Sequence, residues 1–324
     1  MKKKLSLVLA TLMLLGLLAG CGGQPAASGD KDTVVVYIGD IFNSMTPYMT
    51  TANSDQAVFD QVYETLTVTK DDGTVAPCLA KSWKMSDDSL EYTFQLEEGV
   101  KFHNGEVMTA DDVVYSFEQY LANPAKNNFV SMIDKVEMVD ANTVKITLNK
   151  VTPLFLVYIN ELPILNKKFV EEHNGNISDV ACGTGPYKLT SIDLATSAML
   201  ERNDDYRLAP AAIEKVELRY VGDRSTASVQ LETGDLDIMS IDPSQLVSFE
   251  NNDKFTVEKV QTLKTALLAI NTTVAPLDNK LVRQAMTYAV DKQSIITIAY
   301  ENCAVPARLQ ALSLIHISEP TRQA

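Results

Sequence analysis

Residues 79 to 121 read LAKSWKMSDDSLEYTFQLEEGVKFHNGEVMTADDVVYSFEQYL, and their patterns decide the fold class. Apolar and polar side chains alternate strictly from Leu90 to Leu96, which is typical of a strand with one buried face. Thr109 and Asp112 then form a capping-box pattern, and apolar residues recur at every fourth position after it. The stretch therefore predicts a strand, a turn and an amphipathic helix over 110–121.

The rest of the chain alternates similar short elements. Residues 33–38 (TVVVYI) are a β-branched apolar run that predicts a buried strand. The other predicted elements are, in chain order, a helix end leading into a strand at 61–68, a hairpin at 136–148 that turns at 140–142, helices at 167–173 and 224–233, a strand at 236–239, and helices with apolar stripes at 281–290 and 295–299. This alternation without repeats predicts an α/β fold with mixed sheets.

The composition is that of an acidic globular protein. Its 324 residues are 46% hydrophobic. That is enough for a sizeable core and about two domains. The chain carries 42 acidic against 28 basic residues, a formal net charge of −14. Such a surface repels phosphate backbones, so we expect no nucleic acid partner.

The N-terminus has the pattern of an export signal. Lys2 to Lys4 form a positive region, and Leu5 to Leu18 form an apolar segment too short for a comfortable membrane span. Leu18-Ala19-Gly20-Cys21 resembles the lipobox of bacterial lipoproteins, which implies cleavage after residue 20 and a lipid on Cys21. The alternative is a plain secretory signal. Residues 1–20 are therefore predicted as signal peptide and 21–32 as a flexible tether, holding the protein at the extracytoplasmic face of a membrane.

The sequence shows no pattern of catalytic residues. Its three histidines are His103, His173 and His316. His103 with Glu106 is interpreted as a polar turn, the alternative being an acid–base pair. Residues 183–185 (GTG) are too short for a dinucleotide loop, and the proline after them lacks a backbone donor. We therefore predict no enzyme activity, no catalytic residue and no cofactor.

The remaining cysteines are Cys78, Cys182 and Cys303. With Cys21 lipidated, three thiols cannot all pair within the chain, and none has the spacing of a metal ligand set. They are interpreted as small buried thiols, and pairing between any two of them stays open. No metal site is predicted.

Four blocks of sequence together resemble one protein family. They are residues 79–121 quoted above, GTGPYKL (183–189) with ERNDDY (201–206), LETGDLDIM (231–239), and LAINTTVAPLDNKLVRQAMTYAVDKQSII (268–296). In this order they are similar to the family 5 solute-binding proteins of ABC importers, which serve di- and oligopeptides, nickel or haem. The resemblance extends over residues 33 to 305.

The resemblance implies a two-lobed periplasmic-binding-protein-like fold of type II. The first lobe would comprise residues 33–68 and 177–264, an accessory lobe residues 69–176, and the start of the second lobe residues 265–312. Most signature residues are then structural: Trp83, Phe94, Phe102 and Phe117 would lie in the core, and Gly99 and Gly105 at turns. The implied function is capture of short peptides by lobe closure and delivery to ABC permease subunits.

The resemblance also implies ligand-contacting positions. In peptide binders of this family the loop after the first strand lines the cleft, and here that loop is Ser44 to Asp55. By block alignment the contacts are Thr51, Ala52 and Asn53. Some members carry an acid at the position of Thr51. Some members also carry aromatic residues at 266–267, where this chain has Ala-Leu, and this second difference favours a different or smaller ligand. The alternatives are a nickel or haem binder, or an extracellular hydrolase with its site in a missing C-terminal half.

The last twelve residues, SLIHISEPTRQA (313–324), differ in character from the rest. The first ten resemble the translation of a transposon-type sequencing adapter. Residues 313–324 are therefore predicted to be non-native, and His316 to carry no function. The family's chain continues through a large second lobe, so we expect this chain to be truncated, with the stripes at 281–299 uncovered and one edge of the first sheet unprotected.

Overall fold

The computed structural model of the protein describes residues 32–70, 72–260 and 266–306. The predicted signal peptide, Cys21 and the tail at 313–324 with His316 lie outside these residues. No helix in the described ranges is long and apolar enough to cross a lipid bilayer. Within these ranges the protein is an α/β structure with mixed sheets, which confirms the predicted fold class.

The described residues form ten strands and nine α-helices. The strands are β1 (Thr33–Ile38), β2 (Thr67–Thr69), β3 (Val75–Pro77), β4 (Ala80–Met85), β5 (Glu91–Leu96), β6 (Ile133–Asp140), β7 (Thr143–Leu148), β8 (Tyr187–Asp193), β9 (Ser197–Arg202) and β10 (Lys215–Tyr220). The helices are α1 (Asn53–Val62), α2 (Ala110–Ala122), α3 (Asn127–Val130), α4 (Phe155–Tyr158), α5 (Lys167–Glu172), α6 (Arg224–Thr233), α7 (Leu246–Glu250), α8 (Lys280–Ala289) and α9 (Lys292–Ala299).

The first sheet has the strand order β1-β10-β9-β8, with β1 and β10 parallel and the other pairs antiparallel. The strand predicted at 236–239 is reduced to a single parallel bridge between Ile238 and Val36, so this prediction is wrong in extent. The strand is reduced to a single bridge because of the side chain of Asp237. That carboxylate accepts the backbone N–H of Val35 at 2.8 Å and replaces a backbone acceptor of the ladder.

The second four-stranded sheet is antiparallel, in the order β4-β5-β7-β6, and α2 packs on it. The capping box predicted before α2 is present, since the Asp112 carboxylate accepts from the backbone N–H of Thr109 at 2.9 Å and from its hydroxyl at 3.1 Å. The predicted turn positions Gly99 and Gly105 have φ angles of +73° and +89°. These angles favour glycine, because a Cβ atom would be strained there.

One continuous hydrophobic core joins the two four-stranded sheets. Phe94 and Phe117 are fully buried and Phe102 nearly so, as predicted. Trp83 is only half-buried because it lies on the edge strand β4, where one side has no neighbouring strand. The lobe boundaries at 68/69 and 176/177 stay predictions.

The described residues 266–306 are mostly exposed to solvent. Asp291 caps α9 as predicted, accepting the backbone N–H groups of Gln293 and Ser294. Of the apolar stripe residues on α8 and α9, Leu281 is 71% and Ile295 47% exposed, whereas Ile296 is buried. The stripes are therefore largely uncovered in this chain.

The three described cysteines are free thiols, and their burial differs. Cys182 is buried and Cys78 half-buried, in line with the prediction of buried thiols. Cys303 is exposed, so that interpretation is wrong for it. The reason is its position directly after α9, where few side chains pack over the chain.

Candidate functional site

The carboxyl ends of parallel strands meet at one edge of the first sheet. β1 and β10 run parallel, and the bridge at Ile238 adds a third segment in the same direction. In open α/β sheets this is the edge where ligands bind, because the loops that follow the strands diverge there. The loops that begin at Gly39, Val221 and Met239 therefore form the candidate site.

Buried polar contacts fix the loop that follows β1. Asp55 is fully buried. Its carboxylate accepts from the backbone N–H of Asn43 and from the hydroxyl of Thr50, both at 2.7 Å. The hydroxyl of Ser54 donates to the carbonyl of Ile41 at 2.8 Å. Asp55 and Ser54 belong to the first turn of α1, so the loop is held against the helix N-terminus and has a defined shape.

The predicted contact residues lie where this loop enters α1. Thr51 and Asn53 are exposed, and Ala52 is half-buried. Ala52 is the N-cap residue, and it has no side-chain oxygen to cap the helix. Its own backbone N–H donates to the hydroxyl of Thr50 at 3.1 Å. The structure thus brings the three residues together at the surface, and their contact with a ligand stays a prediction.

The GTG loop supports α1 from its other end. The backbone N–H of Gly185 donates to the carbonyl of Val62, the last residue of α1, at 2.9 Å. A Cβ atom on Gly183 would lie 2.0 Å from that carbonyl oxygen, and one on Gly185 would lie 2.5 Å from the carbonyl oxygen of Gln61. Only glycine permits this approach, so the loop has a packing role and not the phosphate-binding role that its glycines superficially suggest.

His103, in the segment between β5 and α2, contacts the same loop. Its backbone N–H donates to the carbonyl of Gly183 at 2.8 Å, and its ring Nε2 lies 3.0 Å from the carbonyl of Gly185. The backbone N–H of Gly183 lies 3.4 Å from ring Nδ1. A neutral ring protonated on Nε2 satisfies both contacts. Burial lowers the pKa of His103 to about 4 and favours that neutral form.

A partly buried ion pair connects Arg207, which directly follows the ERNDDY block, to Glu64, which lies just after the end of α1. The Glu64 carboxylate accepts from Arg207 Nη2 at 2.6 Å and from the Tyr206 hydroxyl at 2.9 Å. The thiol of Cys78 lies 3.6 Å from the same carboxylate. Burial, aided by the charge of Glu64, raises the pKa of Cys78 to about 11. The thiol is therefore protonated at neutral pH and is a poor nucleophile.

The other titratable groups singled out in the sequence do not assemble into a reactive centre. Glu106 contacts Lys168 and not His103, and the hydrogen bond from Lys168 is the largest cause that lowers the pKa of Glu106 to about 2. His173 Nδ1 lies 2.7 Å from the carbonyl of Phe169. Within 32–70, 72–260 and 266–306, no group of three or more His, Cys, Asp or Glu side chains is placed to hold a metal ion.

Sequence reasoning missed Arg224, which lies at the same edge. Its Nη1 donates to the Ser240 carbonyl and to the Asp242 carboxylate, each at 3.1 Å. Its guanidinium lies 5.7 Å from the ring centroid of Tyr37 on β1. One signal was available in the sequence. A cation in the first turn of a helix is disfavoured by the helix dipole, so an arginine at the start of α6 indicates a compensating acidic or carbonyl contact.

Comparison with known proteins gives a family match over most of the chain. The model of bacterial extracellular solute-binding proteins, family 5, middle part, matches residues 74–309. Among curated relatives, the haem-binding protein A of Haemophilus influenzae is 29% identical over 95% of this chain and 63% of its own length. The glutathione-binding protein GsiB of Pectobacterium atrosepticum is 30% identical over 91% of this chain and 59% of its own length. The nickel-binding periplasmic protein of Escherichia coli is 32% identical over 78% of this chain and 50% of its own length.

Solved structures show the same fold. NikZ from Campylobacter jejuni in complex with Ni(L-His) aligns with a TM-score of 0.74 at 30% identity, over 84% of this chain and 56% of its own. DppA from Helicobacter pylori in complex with the peptide STSA aligns with a TM-score of 0.73 at 28% identity, over 83% of this chain and 58% of its own. The chain thus spans between half and two thirds of the length of the relatives that it matches.

Proposed function

Because the chain belongs to the bacterial extracellular solute-binding proteins of family 5, we propose that it is the substrate-binding subunit of an ABC importer and captures short peptides. Ligand binding shifts an open two-lobe population towards a closed one, which the membrane permease subunits recognise. The protein makes and breaks no covalent bond in this function.

The observation that carries the proposal is the loop that precedes α1. Asp55 and Ser54 fix its backbone, while Thr51 and Asn53 remain exposed beside the carboxyl ends of the parallel strands. A rigid loop with small polar side chains suits a ligand that is held mainly through its backbone. Such binding tolerates varied peptide side chains, because it makes few demands on them.

The proposed lobes follow from the family architecture. Residues 33–68 and 177–264 form the first lobe, residues 69–176 the accessory lobe, and residues 265–312 the start of the second. The exposed stripes on α8 and α9 support this division, since they present apolar surface that a second lobe would cover. The opposite wall of the ligand cleft would then belong to the second lobe.

A nickel or haem binder of the same family is the second candidate. Two of the relatives named above bind nickel or haem, and the identities to these relatives are similar to that to the glutathione-binding protein. The described residues offer no cluster of metal ligands, so on this wall of the cleft nickel would be held through an organic chelating molecule. Such a chelate would occupy the same cleft.

The protein is further proposed to be anchored by a lipid on Cys21 at the extracytoplasmic face of the cell membrane. The sequence pattern before this residue supports the anchor, and a lipid would keep the binding site near the permease. Mass spectrometry of the membrane fraction should find diacylglycerol on an N-terminal Cys21. Retention of Met1, or an unmodified Cys21 in that fraction, would exclude the anchor.

Calorimetry on the full-length gene product tests the ligand. Several short peptides of varied sequence should bind, and their N-acetylated forms should bind more weakly because the charged amino group is lost. Tight binding of a nickel chelate or of haem, with no peptide binding, would instead support the second candidate. Peptide recovered intact after incubation separates a binding protein from an extracellular hydrolase, which would cleave it.

A further inference from the structure

The guanidinium of Arg224 is held rigidly at the candidate site by groups from separate parts of the chain. The ring of Tyr37 on β1 lies beneath it, and both Ser240 and Asp242 follow the bridge at Ile238. The cation also lies in the first turn of α6, where the helix dipole disfavours it. A charge fixed by three groups at an unfavourable position indicates a specific use for it.

The way in which Arg224 is anchored leaves one edge of the guanidinium open. Both of its hydrogen bonds to protein atoms leave from Nη1. Nε and Nη2 donate to no acceptor within the described part of the chain, and 37% of the side chain is exposed. The Nε/Nη2 edge presents two parallel N–H groups, which match the two oxygens of a carboxylate.

Other arginines of the same chain show how this edge is normally occupied. Arg219 also anchors Nη1 on a backbone carbonyl, that of Asp235 at 3.1 Å. Its Nε and Nη2 both donate to the Glu217 carboxylate at 2.7 Å. Arg202 has the same arrangement, with Nη1 on a carbonyl and the opposite edge on two carboxylates. Arg224 therefore has the anchored half of this pattern and lacks the carboxylate.

Among the described arginines, Arg283 also has an open Nε/Nη2 edge, with Nη1 bonded to two backbone carbonyls. It lies on α8, which does not directly follow any strand of the first sheet. Arg224, in contrast, lies beside the segment from Tyr37 to Ile41. The carbonyl of Ile41 accepts from Ser54 at the start of α1. Arg224 and Ser54, the residue after the predicted contact residues, thus each contact the segment from Tyr37 to Ile41.

We propose that the Nε/Nη2 edge of Arg224 binds a carboxylate of the ligand, with Tyr37 and Asp242 as positioning residues. For a short peptide this group is the C-terminal carboxylate, and for a metal chelate it is a carboxylate of the chelating molecule. This inference rests on the proposed function, because it assigns one end of the captured ligand to the first lobe.

The acidic neighbours of Arg224 narrow the class of ligand further. Asp242 contacts Nη1 at 3.1 Å and compensates much of the guanidinium charge, whereas the Asp223 carboxylate is occupied by the backbone N–H and hydroxyl of Thr226. The Asp242 carboxylate would repel a phosphate dianion more strongly than a singly charged carboxylate in bidentate contact. The site therefore selects a carboxylate end group over a phosphate.

A thermodynamic cycle on the full-length protein tests the assignment. Alanine-based di- to pentapeptides with a free C-terminus are compared by calorimetry with the same peptides as C-terminal amides, on wild type and on Arg224→Gln. We expect Arg224→Gln to weaken the free-acid peptides about 10- to 100-fold and to leave the amides nearly unchanged. The two changes should be strongly non-additive, because each removes one partner of a single contact.

Arg219→Gln is the matched control, since it removes an arginine whose edge is already filled, and it should leave both affinities unchanged. Arg224→Lys keeps the charge near Tyr37 and Asp242 but loses the bidentate edge. It should therefore also weaken the binding of the free-acid peptides. It replaces Arg224→Gln in the cycle if that variant does not fold. Equal effects of Arg224→Gln on acids and amides, or no effect, would overturn the assignment and leave the proposed function intact. Wild type that binds none of these peptides, nor a nickel–histidine chelate or haem, would overturn both.

Discussion

Substitution of His103 by glutamine tests the contact between the segment that joins β5 to α2 and the GTG loop. The glutamine amide can donate to the Gly185 carbonyl as ring Nε2 does, but it does not titrate. Protonating the native ring would place a hydrogen on Nδ1, against the backbone N–H of Gly183. The folded protein therefore disfavours the charged ring.

The expected pH dependence follows from the difference in proton affinity. The pKa of His103 is about 4 in the folded protein, lowered by burial, against about 6.5 for an unperturbed histidine. Between these pH values the unfolded chain binds more protons, so the free energy of unfolding rises with pH. The contribution is fully present above pH 6.5 and is lost as the pH falls towards 4. It amounts to about 3 kcal/mol, which solvent contact at the ring reduces to about 2 kcal/mol.

Urea unfolding followed by circular dichroism at pH 7.0, 6.0, 5.0 and 4.5 measures this difference. Wild type should lose about 2 kcal/mol more stability than His103→Gln over this range. Carboxylates titrate in both proteins, so their contributions to the pH dependence of the unfolding free energy cancel in the comparison. Parallel pH profiles for the two proteins, or a histidine pKa near 6.5 by NMR in the folded state, would refute the reasoning.

Three further changes test the packing. Gly183→Ala should destabilise the protein by about 2 kcal/mol or more in urea unfolding, because its Cβ would lie 2.0 Å from the Val62 carbonyl oxygen. Gly39→Ala, whose Cβ would lie 3.5 Å from the Tyr37 hydroxyl, is the control and should cost under about 0.5 kcal/mol. Glu64→Gln removes the carboxylate that the partly exposed Arg207 contacts and should cost about 1 to 2 kcal/mol, and no measurable loss of stability would contradict a stabilising ion pair. Residues 22–324 expressed alone should bind a hydrophobic dye and self-associate through α8 and α9, and a monodisperse monomer in light scattering would contradict this.

The elements that sequence patterns predicted well are those whose cause is local. The strand at 33–38 and the helix at 224–233 appear with the predicted bounds. Gly234 ends the helix in the left-handed region at φ +83°, where glycine meets no Cβ penalty. In such elements the deciding contacts lie within a few residues, so a window of sequence contains them all.

The strand predicted at 236–239 shows where local reasoning fails. Its apolar alternation is real, but the Asp237 carboxylate takes the Val35 N–H over a separation of 202 residues. The sequence likewise predicts that Cys303 is a buried thiol. It is exposed, because no other part of the described chain packs over its segment. Whether a residue pairs or is buried depends on neighbours that a sequence window does not include.

The sequence by itself determined the family, the α/β class and the location of the loop that carries Thr51 to Asn53, because these follow from local periodicity and from short blocks of signature residues. Only the tertiary structure decided that GTG is a packing loop beneath α1 and that His103 is a neutral ring bonded to it. It alone also placed Arg224 over Tyr37 with one edge open. These features join segments about 80 to 190 residues apart, and a hydrogen bond between such segments is set by the packing of the whole chain.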